Sequence, residues 1–171
     1  MLPFFTHDQA ALQAQVRLWT EANLFAGHGS EDLDRCARDA VSQLGAAGFL
    51  RHVVSKQFGG TRQKVQARDL CILREELARG DALTDTMFAL QALGSYPITL
   101  AGSVAHKQSY LPLVASGDAI AAFAITEPEA GSDVASLQTT ALRRGEHFVL
   151  NGTKRFISNA GIADFYVVFA S

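Results

Sequence analysis

The apolar residues of this chain recur every three to four positions up to residue 118 and alternate in short runs after it. That switch constrains the fold most, because one period buries a helix face and the other a strand face. Thr6 and Gln9 form a capping box, so a helix begins near His7, and Leu12, Val16 and Trp19 give it one buried face to about Leu24. Gly27-His28-Gly29 is a turn, Ser30 caps a second helix, and Leu33, Ala37, Val41 and Leu44 line its apolar side until Gly48. Residues 49–65 are irregular, with Phe58-Gly59-Gly60 as the sharpest turn. A third helix over 66–79 buries Leu70, Leu73 and Leu77 and leaves Glu75 and Glu76 on a solvated face. Asp81 opens a fourth, with Leu83, Met87, Leu90 and Gly94 on one side and a break or kink at Pro97. Ser103 caps a fifth over 104–110, which ends toward Pro112. Trp19, Met87 and Phe88 read as core.

After Gly117-Asp118 the pattern becomes β. Short strands are expected at 119–125, 139–143, 147–150, 155–158 and 165–170, joined by hairpin turns at Arg144-Gly145-Glu146 and Asn151-Gly152. The class is therefore α+β, with a helical domain over 1–118 and an incomplete β-domain over 119–171 whose last strand is an unpaired apolar edge.

Several function classes drop out. The net charge is −2 and the 15 basic residues are scattered, so nucleic acid has no electrostatic footprint. The longest apolar run, 119–125, is far too short for a membrane span. Met-Leu-Pro-Phe-Phe lacks the basic start of a secretory signal. Cys36 and Cys71 form no C-x-x-C pair and the five histidines never fall at metal-ligand spacing, which points to reduced, packed thiols, no metal site and a cytoplasmic protein.

Two segments carry the chemistry. In 122–136 an apolar run ends at Ile125 and breaks at Thr126-Glu127-Pro128, since Pro128 disfavours helix at Glu127. Gly131 then permits a turn, and Ser132 adds a hydroxyl and a free N–H, a combination that suits a carbonyl-rich or phosphate-bearing ligand. In 150–161 the Asn-Gly turn precedes a strand on which Phe156 and Ser158 share a face, an aromatic beside a hydroxyl for a planar ring ligand. Glu127, Glu129 and Asp133 look like a carboxylate cluster, but the turns at Pro128 and Gly131 orient them outward, away from acid–base work.

Together the segments resemble the acyl-CoA dehydrogenase family. Its flavin signature, F-A-[LI]-T-E-P-x-A-G-S-D, is matched over 123–133, and L-N-G-x-K-x-[WF]-I-[ST]-N over 150–159. The resemblance extends over nearly the whole chain and implies the family's helical N-terminal domain followed by the start of its antiparallel, barrel-like middle β-domain. It also implies FAD lying against the strands. Thr126 would bond the pyrimidine edge, helped by backbone groups of Phe123 and Ile125. Gly131 and Ser132 would face the pyrophosphate, and Ser132 would also touch the acyl-CoA substrate. Phe156 would pack on one flavin face, with Ile157 beside it, and Ser158 would donate toward N5. The implied reaction is α,β-dehydrogenation of an acyl-CoA thioester, with electrons passing to an electron-accepting flavoprotein and a homo-oligomer as the complete form. The family's base is a glutamate in a C-terminal four-helix domain that lies outside this sequence, so no catalytic residue is expected in the chain and activity alone is not expected. An oxidase or flavin monooxygenase of the same fold, and a non-catalytic partner-binding remnant, are the alternatives.

Overall fold

The computed structural model describes residues 5–24 and 32–171. Helix α1, His7–Asn23, opens with the expected capping box: the Thr6 hydroxyl accepts from Gln9 N, and the Gln9 side chain accepts from Thr6 N at 3.1 Å. Helix α2, Leu33–Ala46, is capped by Asp32, whose carboxylate accepts from Arg35 N at 3.0 Å. The turn Gly27-His28-Gly29 and the expected cap Ser30 lie outside the described residues. Leu33 occupies the first turn and stands exposed, not buried. Asp81 ends helix α3, Ala67–Gly80, and caps helix α4, Ala82–Ala101, accepting from Thr84 N at 2.6 Å. Ser103 caps helix α5, Val104–Ser116, accepting from His106 N at 3.1 Å.

Pro97 and Pro112 sit inside helices: α4 runs on to Ala101, past the break or kink expected at Pro97, and α5 runs to Ser116, past the end expected near Pro112. Each removes one bond to the carbonyl four residues back, at Leu93 and Gln108. Leu93 and Gln108 are exposed residues, and the helix continues past each proline.

The five helices close on an apolar core. Val16 from α1, Val41 and Leu44 from α2, Leu73 and Leu77 from α3, Phe88 from α4 and Leu111 and Val114 from α5 are all removed from water. Removing each such side chain from water favours folding by roughly 1.5–3 kcal/mol. Phe49 and Leu50, on a 3-10 turn after α2, plug the same core, and Trp19 meets Phe49 edge-on at 5.1 Å. Met87 and Phe88 are core, as read from the sequence. Cys36 is buried, while Cys71 is exposed instead of packed; both are free thiols.

Glu76 corrects the expectation of a solvated helix face. Its side chain is fully buried between α1 and α3, clamped by Arg17 (2.7 and 3.0 Å) and Arg79 (2.8 Å). The Arg17 guanidinium holds the Glu76 carboxyl below its usual range. Periodicity misread it because a carboxylate can occupy a core-facing position when two cations accompany it.

Strand β1, Ala121–Ala124, pairs in parallel with β4, Phe165–Val168, from Ala121 opposite Phe165 to Ala124 opposite Val168. The segment expected as an unpaired edge is therefore held along one side. Strands β2, Thr140–Arg144, and β3, His147–Asn151, form an antiparallel hairpin around Gly145. The β1–β4 pair lies on α4, and the approach needs Gly94, where an added Cβ would sit 2.5 Å from that of Ala121. Buried Gln91 seals the seam, donating to Ala119 O at 2.8 Å and accepting from Ala121 N at 2.7 Å. Residues 155–158 are not a strand and Asn151-Gly152 does not close a hairpin; Phe156 has φ 58°, which breaks any extended run.

Candidate functional site

Past β1 the chain closes a tight turn around Pro128, with Glu127 N donating to Ala130 O at 2.9 Å and Ala130 N to Glu127 O at 3.3 Å. The turn sends the Glu127 side chain inward, against the expectation that it points out. Oε1 accepts from Thr139 N at 2.9 Å, from the Thr139 hydroxyl and from Lys154 Nζ at 2.8 Å, and Oε2 accepts from Gln138 N at 2.7 Å. The Lys154 ammonium and the Thr139 hydroxyl hold the Glu127 carboxyl at about 2, well below the ordinary carboxylate range. Both oxygens are engaged, so this carboxylate has no capacity to take a substrate proton near neutral pH.

The same lysine ties the two signature segments together. Lys154 Nζ donates to Ile125 O at 2.9 Å while it pairs with Glu127, and Arg155 N donates to Thr126 O at 2.8 Å. The first segment thereby holds the second in place without a strand between them. Gly152 brings the chain against Thr139, since a Cβ there would meet the Thr139 hydroxyl at 2.4 Å. One polar hub thus fixes the end of β1, the start of the hairpin and the segment leading to Phe156.

The candidate residues fall around this hub. Phe123, on β1, packs its ring 5.0 Å from that of Phe169. Ile125 and Thr126 are half-buried just after β1, their carbonyls occupied by Lys154 and Arg155. Gly131 and Ser132 lie on the exposed loop beyond the Pro128 turn, and a Cβ at Gly131 would meet nothing within 4 Å. Phe156 is 77 % exposed and is the sole non-glycine residue with positive φ among the described residues. Arg155 places its guanidinium carbon 4.4 Å over the Phe156 ring. Ile157 is half-buried and its carbonyl accepts from Ala160 N at 3.0 Å; the neighbouring Ser158 is exposed.

Sequence reasoning gave no role to Lys154, Asn159 or Gln91. Asn159 is buried and donates to Ala121 O at 2.8 Å, stitching the turn after Ser158 to β1. Lys154 and Asn159 stood inside the second signature, and their signal was position in that motif, not local periodicity. Gln91 had the weaker signal of a polar residue on an apolar helix side. Glu129 and Asp133 are exposed, Asp133 accepting from the Ser136 hydroxyl at 2.6 Å.

This arrangement leaves the Phe156 ring, the hydroxyl-bearing Ser132 and Ser158 and the space beside Gly131 open to solvent. Those features fit a flavin nucleotide. Among the described residues, no group of three or more His, Cys, Asp or Glu side chains could hold a metal ion. No helix among them is long and apolar enough to cross a membrane.

Comparison with known proteins gives the same direction for the whole chain. Residues 6–118 match the acyl-CoA dehydrogenase N-terminal domain and residues 122–171 the acyl-CoA dehydrogenase middle domain. An acyl-CoA dehydrogenase of Bacillus subtilis is 34 % identical over 96 % of this chain and 44 % of its own length. A solved chain described as electron transferring flavoprotein of Acidaminococcus fermentans superposes with a TM-score of 0.85 at 33 % identity, covering 99 % of this chain and 45 % of that one. A glutaryl-CoA dehydrogenase from Mycobacterium smegmatis, solved in complex with FADH2, gives 0.83 at 29 % identity over 97 % of this chain and 43 % of its own. The chain spans less than half the length of each of these relatives.

Proposed function

From the premise that this chain belongs to the acyl-CoA dehydrogenase family, we propose that it supplies the flavin-cradling half of an FAD-dependent enzyme oxidising acyl-CoA thioesters. In this reading residues 1–118 are the helical domain and 119–171 the part of the middle domain that carries the cofactor contacts. The observation that supports it is the clamp by which Lys154 and Arg155 seize the backbone at 125–126 and present Phe156 to solvent.

The residues divide the work by their chemistry. Phe156 offers its ring to the isoalloxazine face, with Ile157 continuing that wall. Thr126, with backbone groups of Phe123 and Ile125, bonds the pyrimidine edge. Gly131 leaves room for the pyrophosphate, and Ser132 supplies a hydroxyl to it and to the acyl-CoA. Ser158 donates a hydrogen bond to the ring. A flavin held by these residues would supply the acceptor for the hydride lost by the substrate's β-carbon. The proton from the α-carbon needs a base that Glu127 cannot be, since both of its oxygens are engaged; the family's C-terminal glutamate is the candidate. Passage of electrons to a second flavoprotein and assembly as a homo-oligomer belong to the same reading of the complete protein.

Titrating FAD with the folded chain should quench flavin fluorescence, and Phe156→Leu should weaken that binding with unchanged far-ultraviolet dichroism. In a full-length protein, Ser158→Ala removes about 1 kcal/mol of hydrogen bonding and should slow flavin reduction by on the order of tenfold in stopped flow. FAD that stays fully fluorescent beside folded wild-type chain overturns the reading.

A further inference from the structure

The backbone of Arg155 takes part in the clamp above, but its guanidinium has been given no task, and its placement is unusual for a surface cation. Its backbone N–H is fixed on Thr126 O at 2.8 Å, and its guanidinium lies over the Phe156 ring, 4.4 Å from carbon to centroid. Among the described residues it makes no ion pair. An exposed arginine free of carboxylates gains most by extending into water, unless an aromatic face holds it. Phe156 meanwhile keeps φ 58°, a conformation that a non-glycine residue retains only where its surroundings insist on it. Strained backbone, outward ring and stacked cation form one unit.

We propose that Arg155 is a positioning residue that clamps Phe156 as a flavin-stacking platform and sets positive charge behind the stacked flavin. The inference rests on the flavin reading above and adds a residue and a task to it. One side of the ring is taken by the guanidinium, which leaves the opposite side for a flat ligand. The clamp restricts rotation of an otherwise exposed side chain, so less freedom is lost when a ligand stacks. The cation, on the face of the ring away from the ligand, would favour the electron-rich form of a stacked flavin and so raise its reduction potential. Lysine keeps the charge but lacks the planar group that stacks, so the two effects can be separated.

The experiment uses the chain with FAD, comparing wild type, Arg155→Gln and Arg155→Lys. Fluorescence titration gives affinity, and reduction against a dye of known potential gives the midpoint. Arg155→Gln should weaken FAD by about two- to fivefold, the size of an exposed cation–π contact, and lower the midpoint potential. Arg155→Lys should return the potential toward wild type while leaving the affinity reduced. Wild-type and Arg155→Gln proteins with equal affinity and equal potential overturn the clamp and leave the flavin site standing. Folded wild-type chain that binds no FAD overturns both.

Discussion

In the helical body Leu44, Leu73, Leu77 and Phe88 are withdrawn from water, whereas in the β2–β3 hairpin Leu142, Phe148, Val149 and Leu150 are all more than half exposed. The two regions hold their shape by different means. The helices share an apolar core, in which Glu76 and Asp69 appear only with cations beside them. The region beyond residue 118 leans on α4 through Gln91 and Gly94 and is organised by the Glu127 carboxylate. A core sums many small contacts and tolerates loss in proportion to volume. A buried charge with four donors concentrates its effect in one group, so its removal unties several segments together.

The largest break in that contrast should come from the core. Phe88→Ala empties a site that is fully buried, and a loss of about 3–5 kcal/mol is expected in urea unfolding. Collapse of the helical signal should carry the β-region with it, since β1 lies on α4. Retention of the wild-type midpoint would show that the core is not the seat of stability.

Glu127→Gln tests the other region and should rank second. Lys154 is left as a half-buried cation without its carboxylate, and the Gln138 and Thr139 donors face a neutral amide. The thermal midpoint should fall by roughly 5 °C. The pH dependence gives a sharper reading. Glu127 titrates at about 2 in the folded chain against an ordinary 4.5, so it is a depressed group. Its contribution is complete above about 4.5 and is lost as pH falls through about 2. Urea midpoints measured down this interval should drop less steeply in Glu127→Gln than in wild type; equal slopes would remove Glu127 from its place as hub.

A third, smaller effect belongs to the junction of α3 and α4. Asp81→Ala removes the acceptor of Thr84 N and the Thr84 hydroxyl, and about 1 kcal/mol should be lost. Asp81→Asn should recover most of it in the same denaturant assay.

These differences also explain what could be read in advance. Helices were legible because caps and apolar spacing are local: Thr6, Asp81 and Ser103 cap where expected. Pro112 misled because local sequence does not say whether a helix continues past the one bond that the ring removes. Glu76 and Glu127 misled for a related reason, since the cations that admit a carboxylate to the interior come from distant positions, Arg17 and Lys154. The signature segments were legible as motifs but not as geometry. Phe156 was expected on a strand, but it has positive φ and directly follows Arg155, whose N–H is held by the distant Thr126 carbonyl.

The smallest expected effect isolates the hairpin. Leu142 and Val149 face each other across β2 and β3, an apolar cross-strand pair more than half exposed on both sides. Cross-strand pairs contribute roughly 0.2–1 kcal/mol, and exposed ones stand at the lower end because water already reaches both partners. Leu142→Thr puts a β-branched residue on the strand in place of leucine and removes little buried surface, so its cost should stay within about 0.5 kcal/mol. The check is a denaturant midpoint for Leu142→Thr beside Phe88→Ala under identical conditions. Near-equality of Leu142→Thr with wild type would mark the hairpin as a passive extension of the Glu127 hub. A loss comparable to that of Phe88→Ala would mean that the hairpin's apolar face is covered in solution, and the contrast between the two regions would then fail.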